Sequence, residues 1–238
     1  MQIKPVEKQS LSNQVFNQIR DFILNEQYRP GDKLPSEREL CDLMQINRSS
    51  VREALKRLEQ ARLIEIRHGE GSVVLDFKYH GGFDLIRHMV EPGKPLNYLA
   101  IRSLCEVRSL VCTEIARLAA LRIKEPELEE LAGIVGQMKI CVQDGEGDFQ
   151  SLDFEFHYTL AKASENVAFL LMLNSIREVY LPMAQAFSAM FTHVAGDPGV
   201  YEDIYQAVKG GDSQEAGNLT HQLIEEGNRI FMELHEKA

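Results

Sequence analysis

Along residues 11–25 the apolar side chains Val15, Ile19, Phe22 and Ile23 recur at helical spacing, which predicts a first amphipathic helix. Pro30-Gly31 breaks it. Ser36-Glu37-Arg38-Glu39 is a Ser-x-x-Glu capping box and predicts a second helix over roughly 36–44. Gln45-Ile46 supplies a short turn, and Asn47 is a favourable N-cap for a third helix reaching about residue 60. The period then changes. The runs LIEIR (63–67) and SVVL (72–75) are β-prone and flank His68-Gly69-Glu70-Gly71, which together signal a tight hairpin.

Beyond residue 76 only helical periodicity remains, over roughly 82–91, 95–122, 126–143, 148–164, 167–191, 198–209 and 213–235. Pro92-Gly93, Pro126, the turn at 145–147, the GDPG at 196–199 and Gly210-Gly211-Asp212 separate these segments, and Asp212 with Glu215 forms another capping arrangement. The order predicts a mainly α protein in two domains. Residues 1–76 form an N-terminal winged helix-turn-helix with a small β-hairpin wing, and 77–94 form a linker with a linking helix. Residues 95–238 form an all-α C-terminal helical bundle.

With 238 residues and 44% hydrophobic content the chain can bury two ordinary cores. It has no run of about eighteen apolar residues, so no membrane-spanning helix is expected. The start MQIKPVEKQS lacks the apolar stretch of a signal peptide. Cys41, Cys105, Cys112 and Cys141 lie inside apolar helical patterns without a CxxC pair, which fits small buried side chains in a reducing cytoplasm. The net charge of −10 argues at first against nucleic acid, but it is unevenly spread. Residues 1–75 carry 12 Lys and Arg against 11 Asp and Glu, and the acidic excess lies entirely in the remainder.

On the third helix Arg48, Arg52 and Lys56 recur every four residues and share a face, while Val51, Leu55 and Leu58 occupy the opposite one. A cationic stripe backed by an apolar one suits a helix in a DNA major groove, where arginines bond guanine edges or phosphates. Asn47, Ser49 and Ser50 put short polar groups near the positive end of the helix dipole. Arg38 on the second helix is placed to meet the DNA backbone, and Arg67-His68-Gly69 at the wing tip to enter the adjacent minor groove. A charged helix face is by itself usually only solvated; the helix order and the wing tip the reading toward DNA.

Residues 10–75, and above all the string YRPGDKLPSERELCDLMQINRSSVREALKRLEQARLIEIRHGEGSVV, resemble the N-terminal domain of the GntR family of bacterial regulators. The resemblance implies DNA contacts from Arg38, Arg48, Ser49, Ser50, Arg52, His68 and Gly69. Residues 97–235 are similar to the all-helical ligand-binding (FCD) domain of the FadR-like subgroup, through IRSLCEVRSLVCTEIARLAAL, LDFEFHYTLAKASENVAFLLML and AVKGGDSQEAGNLTHQLIE. The implied function is a ligand-responsive transcription regulator that binds a pseudo-palindromic double-stranded operator as a homodimer. Its effector would be a small organic acid or acyl-type molecule carrying a carboxylate.

Asp153 and His157, four residues apart, project side by side from one helix and can clip a divalent cation. The resemblance implies an Asp and three His around a central pocket. His221 matches the last position, but Tyr201 stands where another His is expected, and a neutral phenol is a poor substitute for imidazole. Two outcomes stay open. Asp153, His157 and His221 hold zinc, nickel or manganese with water or effector completing the shell, or the bundle is metal-free and Tyr201 bonds Asp153 or a histidine. His193 is a further candidate from the preceding loop. Arg102 matches a subgroup arginine near the pocket, which implies pairing with an effector carboxylate; an ion pair with Glu106 is the competing role. Arg108, Glu114, Arg117 and Arg122 read as a solvated face, and the Met and Phe residues of 167–191 as core or pocket lining. A metal-dependent hydrolase built on Asp153, His157 and His221 is the alternative function, but the chain lacks an activated nucleophile, an HExxH motif and a phosphate-cradling glycine loop.

Overall fold

A computed structural model describes residues 10–90, 97–144, 147–180 and 198–235. The chain divides into two compact units, Met1–His88 and Met89–Ala238.

The first unit contains α1 (Leu11–Leu24), α2 (Glu37–Met44), α3 (Arg48–Gln60), β1 (Ile64–Arg67) and β2 (Gly71–Val74). Local chemistry sets its boundaries. Ser36 accepts from the Glu39 amide while the Glu39 carboxylate accepts from the Ser36 amide, so the capping box starts α2 as expected. Gln45, at φ 54°, ends α2 in the left-handed region and turns the chain toward α3. The Asn47 side chain then caps α3 by accepting from the Ser50 amide at 2.9 Å.

The apolar stripes converge on one core that includes Ile19, Ile23, Leu40, Val51, Leu58 and Leu63. Each such side chain contributes roughly 1.5–3 kcal/mol through burial. The Arg57 guanidinium lies 4.4 Å from the Phe16 ring centroid and helps fix α3 on α1. The strands pair antiparallel with Ile64 opposite Val74 and Arg67 opposite Gly71. Gly69 (φ 78°) and Gly71 (φ 93°) carry the turn through backbone conformations that a side chain would strain.

After the wing come α4 (Phe77–His80), a 3-10 turn (Phe83–Leu85) and α5 (Ile86–Met89). The expected single helix over 82–91 is thus a 3-10 turn running into one short α-helical turn, just after the break at Gly81-Gly82. Leu85 joins the core of the first unit and Phe77 packs against it.

The second unit is all helical: α6 (Tyr98–Arg122), α7 (Glu125–Asp144), α8 (Phe149–Ala163), α9 (Val167–Tyr180), α10 (Gly199–Lys209) and α11 (Ser213–His235). Helix α6 packs on α8, α9, α10 and α11. Small buried residues such as Ala116, Ala119 and Ala120 let its neighbours approach closely. The Asp212 carboxylate accepts from the Glu215 amide at 3.0 Å and caps the start of α11. The portion of the expected 167–191 helix beyond 180, with Met183, Phe187 and Met190, lies outside the described residues. Among the described residues no helix is long and apolar enough to cross a membrane. All four cysteines are free, with Cys105 and Cys112 buried.

Candidate nucleic-acid interface and buried polar centre

The first unit carries a surface groove of about 630 Å³ between the start of α2, one face of α3 and the wing; Arg38, Arg48, Arg52, Arg67, His68 and Gly69 all line it. Lys56 and Ser49 line a neighbouring hollow of about 490 Å³ that also includes Arg48 and Arg52. Eight of the ten sequence-derived DNA residues therefore line two hollows that share Arg48 and Arg52; Asn47 and Ser50 line neither. The Asn47 side chain is occupied by the helix cap, accepting from the Ser50 amide, and the Ser49 hydroxyl donates to the same Asn47 oxygen at 2.6 Å. These bonds hold the N-terminus of α3 in shape.

One carboxylate organises the two leading arginines. Glu37 accepts from Arg48 Nε at 2.9 Å and from Arg52 Nη2 at 3.2 Å. These bonds lower the Glu37 pKa below the usual carboxylate range, Arg52 having the largest effect. Yet Arg48 and Arg52 remain 72% and 55% exposed. Water screens such pairs, so the guanidinium groups can exchange Glu37 for another anion at little cost. Arg67 is held similarly by Glu65 at 2.8 Å. Glu37 was not singled out from sequence, because its partners lie 11 and 15 residues away on another helix.

The second unit has a buried centre around Asp153. On α8, Asp153 and His157 come together as their spacing requires: His157 Nε2 lies 3.4 Å from Asp153 Oδ1, without hydrogen-bond geometry. Both ring nitrogens of His157 are buried and, among the described residues, have no hydrogen-bond partner. The Tyr201 hydroxyl donates to Asp153 Oδ1 at 2.7 Å, its ring held edge-on by Phe149 and Phe156. Tyr180 donates to Oδ2 at 2.9 Å, and Arg108 Nη2 approaches the same oxygen at 3.4 Å. Burial alone would raise the Asp153 pKa, but His157, Arg108 and Tyr201 outweigh it and hold the carboxyl at about 2. Burial and the Asp153 charge push both phenols well above their ordinary value, so they remain neutral donors.

Three expectations need correction here. Arg108 is not on a solvated face: its side chain is 12% exposed and carries the cation of this centre. Arg122 stays exposed, as expected, while donating to the Ser164 carbonyl at 2.7 Å. Arg102 is exposed and pairs with Glu106 at 3.1 Å, because its position on α6 points away from the buried stripe. The structure also leaves His221 out of the Asp153–His157 pair. That side chain is exposed and sits 3.2 Å from the Ser109 hydroxyl, a placement set by the packing of α11 on α6. His193 lies outside the described residues.

This donor set does not fit a divalent metal. Among the described residues no three His, Cys, Asp or Glu side chains come together to hold one. Among the described residues, the unpartnered His157 nitrogens beside the Asp153 carboxylate would welcome a cation. Against it stand a guanidinium on the shared carboxylate and a phenol that offers that carboxylate a proton rather than a lone pair. The hydrolase constellation of Asp153, His157 and His221 is not assembled either.

Comparison with known proteins agrees with this division. Residues 11–74 match the family described as bacterial regulatory proteins, gntR family, and residues 103–226 match the FCD domain. The HTH-type transcriptional regulator Mce2R of Mycobacterium tuberculosis is 34% identical over 98% of this chain and 96% of its own length. The fatty acid metabolism regulator protein of Cronobacter sakazakii is 27% identical over 86% of this chain and 88% of its own. A solved structure of a Streptococcus agalactiae GntR protein aligns with a TM-score of 0.50 at 26% identity, covering 92% of this chain and 99% of that one.

Proposed function

This chain belongs to the GntR family of bacterial regulatory proteins, with an FCD domain as its helical unit, and from that premise we propose that it reads a pseudo-palindromic operator as a cytoplasmic homodimer. It is a transcription regulator rather than an enzyme. The observation that carries the DNA reading is the groove of the first unit, where Arg38, Arg48, Arg52, Arg67 and His68 line one continuous surface. Arg48 and Arg52 reach base edges by exchanging Glu37 for guanine acceptors, while Arg38, Lys56 and the α3 N-terminus hold phosphates. The wing residues Arg67, His68 and Gly69 enter the neighbouring minor groove.

Dimerisation is supported by Leu99, Leu110 and Leu121, three exposed side chains eleven residues apart and hence on one face of α6. A two-fold dimer presents two α3 helices to inverted half-sites. The helical unit holds a small organic acid or acyl-type effector, a reading supported by the name of the fatty acid regulator among its relatives. Such a ligand changes DNA affinity only as far as its own affinity differs between the two placements of the heads. Residues 77–94 connect the two tasks.

Selection from a pool of randomised duplexes, followed by a salt titration of the winner, tests this reading. Two inverted half-sites are expected, with log affinity falling linearly in log salt as counterions leave. Enrichment of a lone half-site would remove the dimer, and no enrichment at all would remove the sequence-reading role of α3.

A further inference from the structure

The Asp153 centre disagrees with the divalent cation that the family resemblance implies, and the chain itself supplies a replacement. Asp153 is 3% exposed and ionised, so its charge must be balanced locally. Arg108 provides the balancing charge from α6, on the side of the carboxylate away from His157. Both oxygens also accept a phenol proton, from Tyr201 at 2.7 Å and from Tyr180 at 2.9 Å. A divalent ion at Asp153 would therefore meet a fixed positive group across one carboxylate, and both carboxylate oxygens already accept a phenol proton. His221, which could have completed its shell, faces Ser109.

We infer that Arg108 is the resident cation of this centre: its guanidinium occupies, electrically, the role a metal would take, and the domain works without binding a divalent ion. The two unpartnered nitrogens of His157 are then hydrogen-bonding positions rather than ligand positions. The inference rests on the effector-domain reading only for where the centre lies, and the test below separates the two.

The full chain, purified without a tag or chelator, is equilibrated with zinc, nickel or manganese chloride, desalted and assayed for metal by elemental analysis. Fewer than ~0.1 ions per chain are expected, since protein sites with three good ligands retain zinc through such treatment. Retention of one ion per chain, lost in Asp153→Asn, would overturn the inference. Arg108→Met supplies the positive arm. Removing the guanidinium lowers the unfolding temperature, and zinc should restore part of that loss in the variant while leaving the parent chain unmoved. A folded Arg108→Met, Tyr201→His double variant should retain close to one ion per chain, and failure to do so would also count against Arg108 and Tyr201 as the excluding groups. DNA binding by parent chain treated with EDTA is measured in parallel. Loss on chelation with recovery on adding metal would overturn the metal-free centre yet leave the regulator reading standing, whereas unchanged binding supports both.

Discussion

Glu37 and Asp153 make nearly the same interaction and lead to opposite behaviour. Each is a carboxylate facing arginine side chains: Glu37 holds Arg48 and Arg52, and Asp153 faces Arg108 between two tyrosines. The difference is water. Around Glu37 the guanidinium groups are more than half exposed, so hydration competes with the pair and its net worth is about 0–1 kcal/mol. Around Asp153 the charges are nearly sealed, and removing one partner strands the other without hydration. An exposed pair can open to admit a nucleic acid. A buried one can only hold its shape or rearrange as a unit. The contrast matches the two roles, a surface that exchanges anions and an interior centre that fixes four helices to one another.

The largest expected effect tests the buried side. Asp153→Ala should cost about 3–5 kcal/mol in urea unfolding of the helical unit, because Arg108 is left as an uncompensated buried charge. The acid limb of the same titration carries a second signature. The folded carboxyl titrates at about 2, below the ordinary 3.8. The stability it adds, roughly 2 kcal/mol, is therefore complete above about pH 4 and drains away as pH falls toward 2. Asp153→Asn should flatten that limb while leaving the slope above pH 5 unchanged. A variant as stable as the parent chain would show that the centre is wet or rearranged.

The smallest expected effect tests the exposed side. Glu37→Gln should change unfolding free energy by less than about 1 kcal/mol. It should also raise affinity for arbitrary duplex DNA a few-fold, since a competing anion is gone from the groove. If Glu37→Gln destabilised the protein as much as Asp153→Ala, exposure would not be what separates the two sites.

How far the sequence reveals these sites follows the range of the interactions. The head was legible because its signals are local: the Ser36–Glu39 box, the Asn47 cap and the glycines of the wing each act within a few residues. The Asp153–His157 pair was legible for the same reason, one helical turn. Tyr201 could be placed only through the resemblance, as the residue standing for an imidazole, and it does bond Asp153. Arg108 was misread even though a signal existed. It sits within the stripe of Ile101, Leu104, Cys105, Val111, Cys112 and Ile115, all buried, so it occupies a core position of α6. A single cation on an apolar face implies a buried anion, and Asp153 was the available one. Tyr180 carried no such mark, and the turn of His221 toward Ser109 depends on how α11 lies on α6, which no local pattern encodes.

The most direct measurement uses one preparation of an Arg48→Ala, Arg52→Ala double variant and reads two quantities from it. Both side chains are exposed, so the unfolding free energy in urea should stay within about 0.5 kcal/mol of the parent chain. Affinity for the selected duplex should fall at least about thirtyfold, as two base-reading arginines are worth roughly 1–3 kcal/mol each. Unchanged affinity in a folded double variant would contradict α3 as the DNA-reading helix.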